Sequence, residues 1–185
     1  MSKLIFLAGI DDAGKSKTIR NAIKYLGVNN KIVQKFLKQI NPPKHFKINK
    51  TPISVYITSP QEVTGGEIAE SVERMCERLS GNNEDSIFIM TLNLESKYKQ
   101  SIEACLKELN MKGLKDSTFF IFLNADLKKM MKENEQAKIM VGELIRKGYN
   151  FIGEIHRTNK TTEEQQGWKF AFLINQNFLK SLDNI

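Results

Sequence analysis

The chain has 185 residues, 41% hydrophobic and 26% charged, which predicts one domain, residues 1–185, with a full core and too little chain for two. Its net charge is +7, no apolar run approaches a membrane span, and the apolar run near the N-terminus is too short for a signal peptide. Cys76 and Cys105 show no paired or ligand-like spacing, and His45 and His156 are isolated, which points to free core thiols in a reducing cytoplasm and away from a His or Cys metal centre.

In chain order, Leu4 to Ala8 is a continuous apolar run, the pattern of a strand buried on both faces. Gly9-Ile10-Asp11-Asp12-Ala13-Gly14-Lys15-Ser16 follows, and Ile19, Ala22, Ile23 and Leu26 then recur at helical spacing up to Gly27. Lys31 to Ile40 reads as a short helix or strand–helix piece, ended by Asn41-Pro42-Pro43. Pro52 precedes a strand over Ile53–Ile57, and Thr64-Gly65-Gly66 is a turn. A helix from Glu67 places Ile68, Val72, Met75 and Leu79 on one face before Gly81 stops it. Ile87–Met90 is a third strand with a loop from Asn93, and Tyr98–Met111 is a helix facing inward through Ile102, Cys105, Leu106 and Leu109. Phe119–Leu123 is the most apolar strand, ending at Asn124-Ala125-Asp126. A helical stretch to Lys147 turns Ile139, Met140, Leu144 and Ile145 inward, and Tyr149–Ile155 is a fifth strand. Thr158–Gly167 reads as polar loop, and Trp168–Ile174 as a strand or the start of a terminal helix.

This alternation predicts an α/β three-layer sandwich, with a mostly parallel sheet of five or six strands and helices on both faces. Ligands then bind at the carboxyl ends of the strands, which carry Ser59, Glu62, Thr91, Asn93, Glu95, Asn124, Asp126 and Glu154 to Arg157. The basic charge is local. Between Ala13 and Gln61 there are ten basic residues and no acidic one, seven of them along Lys31, Lys35, Lys38, Lys44, Lys47 and Lys50 with Lys24 just before. That segment suits an anionic partner, a small molecule or a nucleic acid, or equally a solvated lysine face.

Strand, glycine-bearing loop and helix stand in the order that a phosphate-binding loop requires. Such a loop turns backbone N–H groups inward, and the helix N-terminus adds unpaired donors and partial positive charge. Gly9 and Gly14 permit close backbone approach, Lys15 can reach β- and γ-phosphates, and Ser16 can place its hydroxyl on Mg²⁺.

On those residues the chain resembles the P-loop nucleoside-triphosphatase superfamily. The string Gly9 to Ser16 is most similar to the version in small nucleotide and metabolite kinases, where an Asp commonly sits near the third position. The motif-level resemblance covers residues 4–27. It implies a P-loop fold that binds ATP or GTP with Mg²⁺. It places Gly9, Ile10, Asp11, Asp12, Ala13, Gly14, Lys15, Ser16 and Lys17 around the phosphates, joined by Arg157 from the last strand. Lys15 then stands at the reacting groups. Independently of the family, Asp11 or Asp12 lies inside the loop near the phosphates, where a carboxylate can orient an acceptor hydroxyl.

For the metal the resemblance implies Ser16 and an acid at a strand end. Glu62 is taken with Ser16, because Glu62-Val63-Thr64-Gly65 is similar to the GTPase switch pattern D-x-x-G; Glu95 and Asp126 are the other candidates. Thr91 stands where small kinases keep an Asp. Two activities stay open. One is a kinase-like phosphotransferase acting on an anionic acceptor, such as a nucleotide or a nucleic-acid end. The other is a divergent GTPase-like switch or NTPase, or a nucleotide-binding domain with little turnover. Leu123-Asn124-Ala125-Asp126 is similar to the guanine-reading N-K-x-D, but its first two positions differ, so guanine selectivity is not implied.

Overall fold

Six strands form one sheet in the order β2-β3-β4-β1-β5-β6. The computed structural model describes residues 2–38, 45–57 and 85–179. The strands are β1 (Lys3–Gly9), β2 (His45–Ile48), β3 (Thr51–Tyr56), β4 (Ile87–Asn93), β5 (Thr118–Ala125) and β6 (Asn150–Arg157). Helices described are α1 (Lys15–Ala22), α2 (Asn30–Lys38), α3 (Lys99–Met111), α4 (Met131–Arg146) and α5 (Glu163–Ile174). Only β2 runs antiparallel, paired with β3; all other pairings are parallel. The fold is therefore α/β, with a mostly parallel sheet and helices on both faces.

The most apolar positions take the middle of the sheet. β1 pairs with β4 on one side and β5 on the other, and its residues from Leu4 to Gly9 are all buried. The chain leaves β1, builds the β2–β4 side, then crosses back to lay down β5 and β6. The carboxyl end of β1 is thus the point where the winding reverses, where open α/β sheets form a crevice.

Alternation along the strands assigns the helices to faces. Asn134 of α4 donates to Asn124 of β5 at 2.6 Å, on the even-numbered face. Leu173 of α5 lies against Gly153 of β6, and Phe178 meets Phe119 with ring centres 4.8 Å apart, on the odd-numbered face. Within the core Phe6 stacks on Phe120 at 5.3 Å, and Tyr149 donates its hydroxyl to the Leu106 carbonyl at 2.9 Å.

Several expectations shift. β2 is a strand in a stretch for which the sequence reading names no element. Its Phe46 and Ile48 are buried while His45 and Lys47 face outward, and Phe36 of α2 packs edge-on against Phe46 at 5.5 Å. The inward face of α4 is Asn134, Ala137, Val141 and Leu144; Ile139 and Ile145 are 63% and 47% exposed. The helix α5 begins inside the expected polar loop, at Glu163, because Thr162 and Gln165 form a reciprocal cap: each side chain accepts the other's backbone N–H. Cys105 is buried and in no disulfide, as expected. The expected Thr64–Gly66 turn, the helix from Glu67, and Cys76 lie outside the described residues. No helix among the described residues is long and apolar enough to cross a membrane.

Candidate functional site

The loop after β1 is built from inside out. A Cβ on Gly9 would stand 2.9 Å from the Leu123 carbonyl oxygen, so β1 and β5 approach too closely there for any side chain. Ile10 and Ala13 are buried and pin the loop to the core, which leaves Asp11 and Asp12 to face outward. Asp12 at φ +53° and Gly14 at φ +90° are left-handed, and they turn the chain on either side of Ala13. Gly14 is the N-cap of α1 and brings no capping side chain, and the first turn holds no acid. The N-terminal donors of α1 are therefore open to an external anion.

Lys15, Ser16 and Arg157 are each held by main-chain oxygen. Lys15, 7% exposed, donates from Nζ to the carbonyls of Ile10 at 2.6 Å and Gly9 at 3.2 Å. Ser16 donates its hydroxyl to the Ile57 carbonyl, just past β3, at 2.7 Å. Arg157, the last residue of β6, donates to the Asp12 carbonyl, and its guanidinium would stand 3.0 Å from a Cβ on Gly14, a tight contact that the flexible arginine tip can relieve. Gly14 is thus required for its dihedral.

Asp11 is gripped by the loop that follows β4. Its backbone N–H donates to Glu95 Oε1 at 2.9 Å, and its carboxylate accepts from the Asn93 amide at 2.5 Å and from Lys97 at 3.3 Å. Lys97 also pairs with the other Glu95 oxygen at 2.7 Å. The Glu95 carboxylate first, and then that of Asp11, raise the Lys97 ammonium above the ordinary lysine value.

One cavity of about 450 Å³ joins these parts, lined by Asp11, Asp12, Gly14 to Lys17, Thr91 and Arg157. Of the residues expected around the ligand, Gly9, Ile10 and Ala13 form the buried support instead of the wall. Lys17 lines the cavity but is ion-paired with Glu163 of α5 at 2.8 Å. Glu62 lies outside the described residues. Glu95 serves Asp11 and Lys97 as a loop anchor, and exposed Asp126 is not part of the cavity wall. Asn93 is legible only as a strand-end residue, and Lys97 and the Ile57 carbonyl carry no signal in the sequence. Their partners are dozens of residues away, and only the sheet brings them in.

No protein-family model matches the chain, and no curated protein matches it. Similar solved structures include the crystal structure of APE1195, 16% identical over 95% of this chain and 96% of that one, with a TM-score of 0.48. Another is an unliganded sugar kinase from Janibacter sp. HTCC2649, 10% identical over 95% of each chain, with a TM-score of 0.40. Neither likeness bears on the chemistry of the site.

Proposed function

We propose that the chain is a P-loop protein that binds a nucleoside triphosphate, ATP or GTP, with Mg²⁺ at the loop between β1 and α1, and acts as a kinase-like phosphotransferase on an anionic acceptor. The observation that carries this reading is the convergence of an uncapped helix N-terminus, Lys15, Ser16 and Arg157 on one cavity of about 450 Å³. Lys15 exchanges its two loop carbonyls for phosphate oxygens, and Arg157 adds a second cation to the cavity wall. Bound Mg²⁺ supplies charge neutralisation on the phosphates, and the hydroxyls of Ser16 and Thr91 are hard oxygen donors of the kind that suits it. Asp11 favours transfer over hydrolysis, because a carboxylate fixed by Asn93 and Lys97 is placed to hold an acceptor hydroxyl in one orientation. The neutral Thr91 hydroxyl beside Ser16 favours the second reading, a nucleotide-binding domain with little turnover.

The test is titration of the protein with ATP and GTP, with Mg²⁺ and in EDTA, alongside Lys15→Ala. Loss of the charged donor weakens binding at least about tenfold; unchanged affinity removes the central claim. Phosphate release is then followed with nucleosides, nucleotides and oligonucleotides. Release that requires an acceptor supports the transferase, and basal release supports the hydrolase.

A further inference from the structure

We infer that the buried Thr91 hydroxyl is the metal-side positioning group of this site, accepting a hydrogen bond from a water on the Mg²⁺ that Ser16 meets. This deepens the nucleotide reading and rests on it. A carboxylate is the common choice for holding hydrated Mg²⁺ beside phosphates; here the group is neutral.

Three observations lead to Thr91. It is 1% exposed, in β4 opposite Leu7 of β1, and yet it forms part of the cavity wall. Its hydroxyl makes only a long contact, 3.5 Å, to the Ile57 carbonyl, which already accepts the 2.7 Å bond from Ser16. At that length the bond is weak, so the Thr91 hydroxyl is loosely held, and as the donor it keeps its lone pairs for another group. Both hydroxyls reach the same oxygen, so they are never farther apart than those two bonds laid end to end, an interval that one ion and its water can bridge. Ser16 gives its proton to Ile57 and thereby leaves its own lone pairs for a cation.

Three of the charged alternatives among the described residues are committed elsewhere. Asp11 is held by Asn93 and Lys97, Glu95 by the Asp11 N–H and Lys97, and Glu154 by the Asn124 amide. Asp12 also lines the cavity, but from the exposed side of the loop, where its backbone carbonyl accepts from Arg157. A neutral hydroxyl binds a metal-bound water less strongly than a carboxylate does. The phosphates therefore supply nearly all the negative charge, and Mg²⁺ enters with the nucleotide instead of ahead of it.

The experiment measures ATP affinity by calorimetry with Mg²⁺ and in EDTA for the wild-type chain and for Thr91→Val, Thr91→Ser and Thr91→Asp. The quantity read is the ratio of the two affinities. Thr91→Val should shrink the Mg²⁺ gain about fivefold, the worth of one hydrogen bond, while its EDTA affinity stays at the wild-type value. Thr91→Ser, which keeps the hydroxyl, should preserve the ratio, and Thr91→Asp should enlarge it about tenfold. If Thr91→Asp does not fold, the Val and Ser pair decides. An unchanged ratio in Thr91→Val, or equal losses with and without Mg²⁺, overturns the inference and leaves the nucleotide reading intact. Absence of ATP binding in the wild-type chain overturns the nucleotide reading itself, and this inference with it.

Discussion

Two glycines in two helices should respond to the same substitution with opposite signs. Gly167 lies where α5 crosses α1. A Cβ built on it stands 2.5 Å from Asn21 Cβ and 2.8 Å from both the Ala22 nitrogen and the Asn21 carbonyl carbon. Two of these atoms are backbone, so no rotamer change relieves the contact. Ordinary contact begins at 3.4 Å, and Gly167→Ala therefore forces the helices apart by about 0.6–0.9 Å. Overpacking of that kind costs about 3 kcal/mol at the rigid end of its range. Alanine returns about 1 kcal/mol of helix propensity. The net loss of about 2 kcal/mol lowers Tm by about 4–8 °C in a chain of this size. Gly142, inside α4, has nothing within 4 Å of its virtual Cβ. Gly142→Ala keeps only the propensity gain of about 0.5–1 kcal/mol and raises Tm by about 1–4 °C. Thermal unfolding followed by circular dichroism compares the two directly. Since α1 opens with Lys15 and Ser16, Gly167→Ala should also weaken nucleotide binding, and Gly142→Ala should not. Two variants of equal stability would refute the reasoning, because the α1–α5 contact would then have slack that the geometry denies it.

The basic segment divides between two faces. Lys31, Lys35 and Lys38 are exposed on α2, which packs on the Phe46 side of β2, whereas Lys47 alternates to the opposite side. Replacing the three α2 lysines with Gln should weaken binding of an anionic acceptor, tested with nucleoside monophosphates and a single-stranded oligonucleotide, and the loss should fade with salt; ATP affinity should hold. If acceptor binding falls equally with Lys47→Gln alone, the α2 face has no special role. Burial pushes the Tyr149 phenol above its ordinary value of 10.0, so the stability tied to its neutral form is complete below about pH 10 and lost as pH rises through the folded-state value. Tyr149→Phe should therefore flatten the alkaline fall in Tm, while costing about 1 kcal/mol at neutral pH through the bond to the Leu106 carbonyl. Identical alkaline slopes would assign that fall to another group.

Where the sequence could be read, one physical signal dominated locally. β1, β4 and β5 are apolar on both faces, and no other element produces such runs at that length. The helix α3 was equally plain, because Ile102, Cys105, Leu106 and Leu109 are all apolar and all buried. In α4 the apolar period misled, because one position of the true stripe is Asn134. That amide is buried since it accepts the Ala125 N–H at 3.1 Å and donates to Asn124 at 2.6 Å. Hydrophobicity cannot reveal a polar residue whose partners lie on another element. For α5 the signal was present in Thr162, Glu163, Glu164 and Gln165, a capping box with acids in the first turn, but its polar letters read as loop. The site divides in the same way. Gly9 to Ser16 announce themselves as a contiguous motif, whereas the grip of Asn93 and Lys97 on Asp11 spans more than 80 residues, and no local pattern encodes it.

The contact between α1 and α5 also sets a timetable for synthesis. Lys17 pairs with Glu163, and Thr18 with Gln166, across separations of 146 and 148 residues. At a translation rate of about 5–20 residues per second, the face of α1 that carries Thr18 and Ala22 waits roughly 7–30 s for its cover to leave the ribosome. The helix that opens the candidate site thus emerges long before the helix that encloses it. During that interval its uncovered stripe is a surface for chaperones, and a nascent chain stalled before α5 would carry the whole loop motif without the packing that holds it in place.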